Sequence, residues 1–205
     1  MAVRIARWLL MLLPIALAPG AHAQTLTPEQ KQLREIYQEL VEINTTDSAG
    51  DTTQAARAVA ARLKAGGYAD ADMQIIVPPG NAKKGNLVAR LKGSGAKKPL
   101  LLLAHLDVVE AKREDWQRDP FKLIEENGYF YARGAADDKA MGSALIAIMI
   151  RLKKEGYAPD RDLILALTAD EEIIPSQFSG VEYLLKNHRN LIDAAFALNE
   201  GGSGL

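Results

Sequence analysis

The chain contains no cysteine in its 205 residues. A disulfide framework and a thiolate metal site are therefore excluded, and any metal must be held by His, Asp or Glu. Histidine is scarce too: His22, His105 and His188 are the only three. Charge of either sign is not in excess, since 25 basic and 26 acidic residues leave a net charge of -1. That balance gives no reason to expect nucleic acid as a partner. Internal repeats and low-complexity linkers are missing. Past the first residues, no apolar stretch is long enough to cross a membrane. The remaining composition is that of a globular protein, 48% hydrophobic and 25% charged, with enough chain for one sizeable core.

The start of the chain reads as a leader rather than as part of a fold. Arg4 and Arg7 give a positive beginning, and Trp8 to Leu17 is apolar apart from Pro14. Ala21-His22-Ala23 then resembles a small-x-small cleavage site, with Gln24 as the mature start. Residues 1–23 are thus expected to be a secretory signal, and the protein to be secreted or periplasmic, with no membrane contact after processing. An uncleaved anchor is the rival reading.

Residues 24–205 alternate helical and strand patterns. Thr27 caps a first helix, with Pro28 at its first position and Leu33, Ile36, Tyr37, Leu40 and Ile43 at helical spacing. Asp51 opens a second helix that stops at Gly66-Gly67. Met73–Val77 and Leu87–Leu91 read as strands, separated by turn formers at Pro78 to Asn81. Pro99–Val109 is almost continuously apolar, as a strand buried on both faces would be. Phe121–Ile124 and Tyr129–Tyr131 flank Glu126-Asn127-Gly128, a hairpin signal. A helix over Asp138–Lys154, a buried strand over Leu163–Thr168, a helix over Val181–Lys186 and a short strand over Ala194–Leu198 follow. The alternation predicts an α/β fold, a layered mixed β-sheet flanked by helices, in one domain or part of one.

Four segments carry ligand-type residues at strand or hairpin ends. His105 and Asp107 are two apart on the long strand and should project together, so the carboxylate can orient the imidazole or share its ion. Taken alone, that motif is better explained by a half-buried histidine paired with an acid. Asp137-Asp138 stands between the hairpin and a helix, where two acids also serve simply to cap the helix and complement its dipole. The preceding Gly134-Ala-Ala would allow close backbone approach. Asp170-Glu171-Glu172 follows directly on a buried strand, where open α/β sheets bind ligands, and adjacent carboxylates favour a cation. Asn199-Glu200-Gly-Gly ends the last strand. One imidazole with several carboxylates suits zinc or another first-row divalent ion, and two ions sharing a carboxylate would form a hydrolytic centre.

The order His105-Leu-Asp107, Gly134-Ala-Ala-Asp137-Asp138-Lys139, Asp170-Glu171-Glu172, Asn199-Glu200-Gly-Gly resembles the zinc exopeptidase and amidohydrolase family of aminoacylase, succinyl-diaminopimelate desuccinylase, carnosinase and carboxypeptidase G. Trp116, Asp119-Pro120-Phe121 and Tyr131-Ala-Arg133-Gly134 extend the likeness. The resemblance implies a hydrolase that cleaves a peptide or an N-acyl amino acid with two divalent ions, zinc first, cobalt or manganese otherwise. It implies that Asp137 bridges both ions, that His105 and Glu200 complete one ion's ligands, and that Glu172 binds the other. Glu171 would be the general base, and Asp107 would hold the His105 ring. The Asp137-Asp138 peptide would be cis. It further implies that residues 24–205 are the N-terminal portion of the catalytic domain. The family's lid and dimerisation domain, and a last metal-binding histidine, would lie outside this sequence, so a homodimer is expected only of a form with the lid. His188 reads as an exposed helix end. Ala132, Glu110 and Ala140-Met141 depart from the family's usual residues without removing a ligand. The alternative reading is a truncated secreted fragment that binds metal or ligand without catalysis.

Overall fold

A computed structural model describes residues 25–201. The expected leader over residues 1–23 and the last glycine of the Asn199-Glu200-Gly-Gly motif lie outside the described residues.

Local chemistry sets the first two helices. Helix α1 (Pro28–Glu42) starts under a reciprocal cap: Gln30 N donates to Thr27 Oγ1 and Thr27 N donates to the Gln30 side chain. Its Ile36 and Leu40 face the core. Helix α2 (Thr52–Ala65) starts where the Asp51 carboxylate accepts from Gln54 N.

Seven strands follow the expected apolar runs: β1 (Met73–Ile76), β2 (Asn86–Leu91), β3 (Leu100–His105), β4 (Ile124–Glu126), β5 (Tyr129–Tyr131), β6 (Leu163–Thr168) and β7 (Phe196–Leu198). Helices α3 (Lys139–Lys154), α4 (Gly180–Asn187) and α5 (Arg189–Ile192) complete the chain. The main sheet has the order β1-β2-β6-β3-β7, while β4 and β5 pair separately as a hairpin. The β1–β2 and β2–β6 pairs are antiparallel; β6–β3 and β3–β7 are parallel. This is the predicted mixed sheet.

Side-chain alternation splits the sheet into two buried faces. Leu165 and Leu167 pack with Leu87, Ala104 and the apolar sides of α1, α2 and α3. Ile164 and Ala166 turn the other way, onto Ile76, Val88, Leu184 of α4 and Ile192 of α5. The helices therefore flank the sheet in two layers. All three residues of the edge strand β7 are exposed. Among the described residues no helix is long and apolar enough to cross a membrane.

Four strands are cut back from their expected runs: β1 and β7 by one or two residues, β3 and β4 by more. β3 ends at His105 because the chain leaves the ladder there, with Val108 N donating to Thr45 O in the α1–α2 connection. β4 starts only at Ile124. Asp119 holds Phe121 N with its carboxylate and Lys122 N with its carbonyl, a turn that excludes strand geometry. Short α5 had no separate signal beside α4.

Candidate metal centre

Parallel pairing decides where the chemistry gathers. β3, β6 and β7 run the same way, so their carboxyl ends share one edge of the sheet. That edge is where open α/β sheets bind ligands. His105 closes β3 directly beside Thr168 of β6. Asp170, Glu171 and Glu172 follow β6, Glu200 follows β7, and the β5–α3 connection brings Asp137 and Asp138 across.

The buried His105 ring is the centre of the group. Its Nε2 lies 2.9 Å from Asp137 Oδ1, 3.6 Å from Glu200 Oε1 and 4.0 Å from Glu171 Oε2. Its Nδ1 lies 3.0 Å from the Asp107 carbonyl oxygen and 3.6 Å from Asp107 Oδ1. The backbone oxygen thus takes the Nδ1 hydrogen bond, and the carboxylate acts on the ring mainly through its charge. That carboxylate also fixes backbone. Glu171 N donates to its Oδ1 at 3.2 Å and Glu172 N to its Oδ2 at 3.0 Å.

The proton balance reflects this crowding. Burial opposes a charged imidazole, but Asp107, Asp137 and Glu200 outweigh it and raise His105 to about 10. Burial also works against an ionised Asp107, yet the His105 ring and the two backbone donors hold it below the usual carboxylate range. Glu172 is raised by burial and by Asp137, with His105 pulling the other way. Glu200 is raised by burial, and Asp137 and Glu171 add to the effect against His105.

The approach of Asp137 depends on a glycine. Gly134 has φ +74, and a Cβ there would sit 2.6 Å from Val108 Cγ1. The small residues thus allow close approach, though to the chain's own Val108. The Asp137-Asp138 peptide is cis. Asp138 stands at the N-cap of α3, but its side chain does not cap the helix. It is buried and accepts from His105 N at 3.3 Å. Burial pushes it up to about 6, helped by Glu200 and Asp137 and opposed by His105. Lys139 is almost fully buried, donates to Ile43 O at 2.8 Å, and is lowered to about 7 by burial, with Asp107 opposing.

Among the described residues, two sets of side chains offer atoms that all lie within 4.8 Å of one another: His105 with Asp137 and Glu172, and His105 with Glu171 and Glu200. The candidates His105, Asp137, Glu171, Glu172 and Glu200 are therefore brought together, with Asp107 behind the ring. One nitrogen donor among hard carboxylate oxygens fits zinc or a similar divalent ion. Glu172 and Glu200 are raised by burial first and by neighbouring carboxylates second, and a cation beside them would favour their charged forms against both. His188 sits half-buried where α4 meets α5, against Tyr183, and belongs to neither set.

Two parts of this region had no specific sequence signal. Asp138 read as a helix cap. Lys84 lies beyond the turn formers and carries no sequence signal, yet it is buried and takes Asp170 out of the acidic cluster, with Nζ 2.5 Å from Asp170 Oδ1. Only two of the three consecutive acids belong to the sets around His105.

Known proteins resemble this chain in sequence and in fold. Mouse N-fatty-acyl-amino acid synthase/hydrolase PM20D1 is 36% identical over 103 residues, 50% of this chain and 20% of that protein. The Beta-Ala-Xaa dipeptidase of Lactobacillus delbrueckii subsp. lactis is 36% identical over 113 residues, 55% of this chain and 23% of that protein. The chain thus spans only about a fifth to a quarter of the length of these curated relatives. In structure, the M20 family metallo-carboxypeptidase Sso-CP2 from Sulfolobus solfataricus superposes with a TM-score of 0.67 and 23% identity, over 86% of this chain and 38% of that one, a likeness of fold. Residues 101–205, which hold all the clustered side chains around His105, match Peptidase family M20/M25/M40, and the chain belongs to that family.

Proposed function

We propose that this chain supplies metal-binding residues and the general base of a hydrolase that cleaves a peptide or an N-acyl amino acid at its amide bond. The observation that carries this reading is the convergence on His105 Nε2 of carboxylates from three separate segments, Asp137, Glu171 and Glu200. The names of the relatives, a dipeptidase and an N-fatty-acyl-amino acid hydrolase, agree with the substrate class.

Asp137 would bridge two ions, His105 and Glu200 would hold one, and Glu172 would hold the other. Zinc suits the donors first, with cobalt or manganese as alternatives. Bound there, the ions would acidify a shared water and polarise the amide carbonyl. Glu171 would take the proton of that water and hand it to the leaving amine. It is suited to this because its side chain is half exposed while its backbone is fixed on Asp107. Asp107 keeps the His105 ring in place through its carbonyl oxygen and its charge.

In this reading residues 24–205 are the N-terminal portion of a catalytic domain. Residues 1–23 are an export leader that sends the protein to the periplasm or beyond, and an exported protein beginning at Gln24 is the expected result of N-terminal sequencing. The activity test is a panel of dipeptides and N-acyl amino acids presented to the native exported protein, with and without chelator. Metal-dependent release of the amino acid is expected. Bound metal with no hydrolysis of any amide in the panel would contradict the catalytic role.

A further inference from the structure

Asp170 directly precedes Glu171 and Glu172, yet its carboxylate takes no part in the cluster around His105. It is buried, with its backbone in the left-handed region at φ +58. Its Oδ1 accepts from Lys84 Nζ at 2.5 Å and its Oδ2 from Ser176 Oγ at 2.6 Å. Lys84 is 5% exposed and also reaches Asp47 at 2.6 Å. One residue before Asp170, Ala169 N donates to Asn86 Oδ1 at 2.9 Å. Lys84 and Asn86, at the entry of β2, thus grip the exit of β6. From the other side, the Asp107 carboxylate accepts Glu171 N and Glu172 N. The backbone that carries the two glutamates is held at both ends.

A buried ion pair is a poor device for stability alone, because an apolar pair of similar volume would serve as well or better. Its distinct contribution is direction. A residue at positive φ sets the course of the chain after it, and Asp170 is kept there by two hydrogen bonds to its side chain. We propose that Lys84 is a positioning residue of the metal centre, acting through Asp170 to aim Glu171 and Glu172 at the ions. This rests on the metal-centre reading above and adds to it a residue that never touches an ion.

The test is a Co2+ titration of the full chain followed by its d–d absorption, with metal-free thermal unfolding as the control for folding. Lys84→Met alone would strand the Asp170 carboxylate in the interior and can fail to fold. The informative variant is Lys84→Met/Asp170→Asn, in which the amide can still accept from Ser176. It removes one positive and one negative charge, so the summed charge near the site is unchanged and only placement is altered. The expected result is cooperative unfolding, Co2+ binding weakened at least roughly 10-fold, as for other groups that orient ligands, and a changed absorption spectrum. A folded double variant with wild-type affinity and spectrum would overturn the inference. A double variant that cannot fold would also overturn it, because the pair would then be a folding element. Glu172→Gln in the otherwise wild-type chain separates the two claims. If it weakens Co2+ binding while the double variant does not, only the positioning role falls. If it changes nothing, the metal-centre reading itself falls.

Discussion

His105 governs the site because its two ring nitrogens meet different partners. Nδ1 faces the Asp107 carbonyl, which fixes the ring, while Nε2 faces Asp137 and Glu200. In the metal-free protein the imidazole keeps its proton up to about 10, above its ordinary value, so a cation must displace that proton to reach Nε2. The sign follows directly. As pH rises toward about 10 the protonated fraction falls and competition with the metal weakens. Apparent zinc affinity should therefore climb between pH 6 and 8, as measured by competition with a chelating dye, whereas a flat profile would mean that His105 is not a ligand. Glu171→Gln should leave metal content unchanged and lower kcat by roughly 10²–10⁴-fold in the active protein, the range for loss of a general base. Loss of the metal together with activity would instead make Glu171 a ligand. Asp107→Asn keeps the carbonyl contact to His105 but removes the charge beside the ring. It should weaken metal binding about 10–100-fold in an equilibrium titration.

At the scale of elements, the register of three parallel strands does what no single motif can. β3, β6 and β7 run in parallel and deliver His105, Glu171–Glu172 and Glu200 toward one edge: His105 pairs with Thr168 at the ends of β3 and β6, and Glu200 lies two residues past Leu198, which pairs with Leu102. The apolar runs made these strands legible, and the caps at Thr27 and Asp51 made α1 and α2 legible. The ends were less so. β3 stops at His105 through a bond to Thr45 in a distant connection, a tertiary event without a local signature. Asp138 read as a cap because two acids before a helix usually are. Its hydrogen bond to His105 N depends on how the β5–α3 connection crosses β3. Lys84 was invisible for the same reason, since its partners Asp47 and Asp170 lie in other connections. The Gly134 turn offers a test at this scale. Gly134→Ala meets Val108 and forces a side chain onto φ +74, so it should cost about 1–3 kcal/mol in denaturant unfolding. An unchanged midpoint would show that the connection carrying Asp137 is not tightly set.

The described residues form a sheet between two helix layers, with the buried ionisable groups Lys84, His105, Asp107, Asp138, Lys139 and Asp170 gathered near the edge where the parallel strands end. Burying several carboxyls there is unfavourable for the metal-free fold, as the raised Asp138, Glu172 and Glu200 carboxyls record. A divalent cation would offset that crowding, so the same arrangement that weakens the empty fold favours the loaded one. The most direct test is calorimetric titration of zinc into the metal-stripped chain at pH 7, in two buffers of different ionisation enthalpy. The account predicts saturable binding with net proton release, and loss of both in His105→Ala. Absence of saturable binding, or identical binding in His105→Ala, would contradict it.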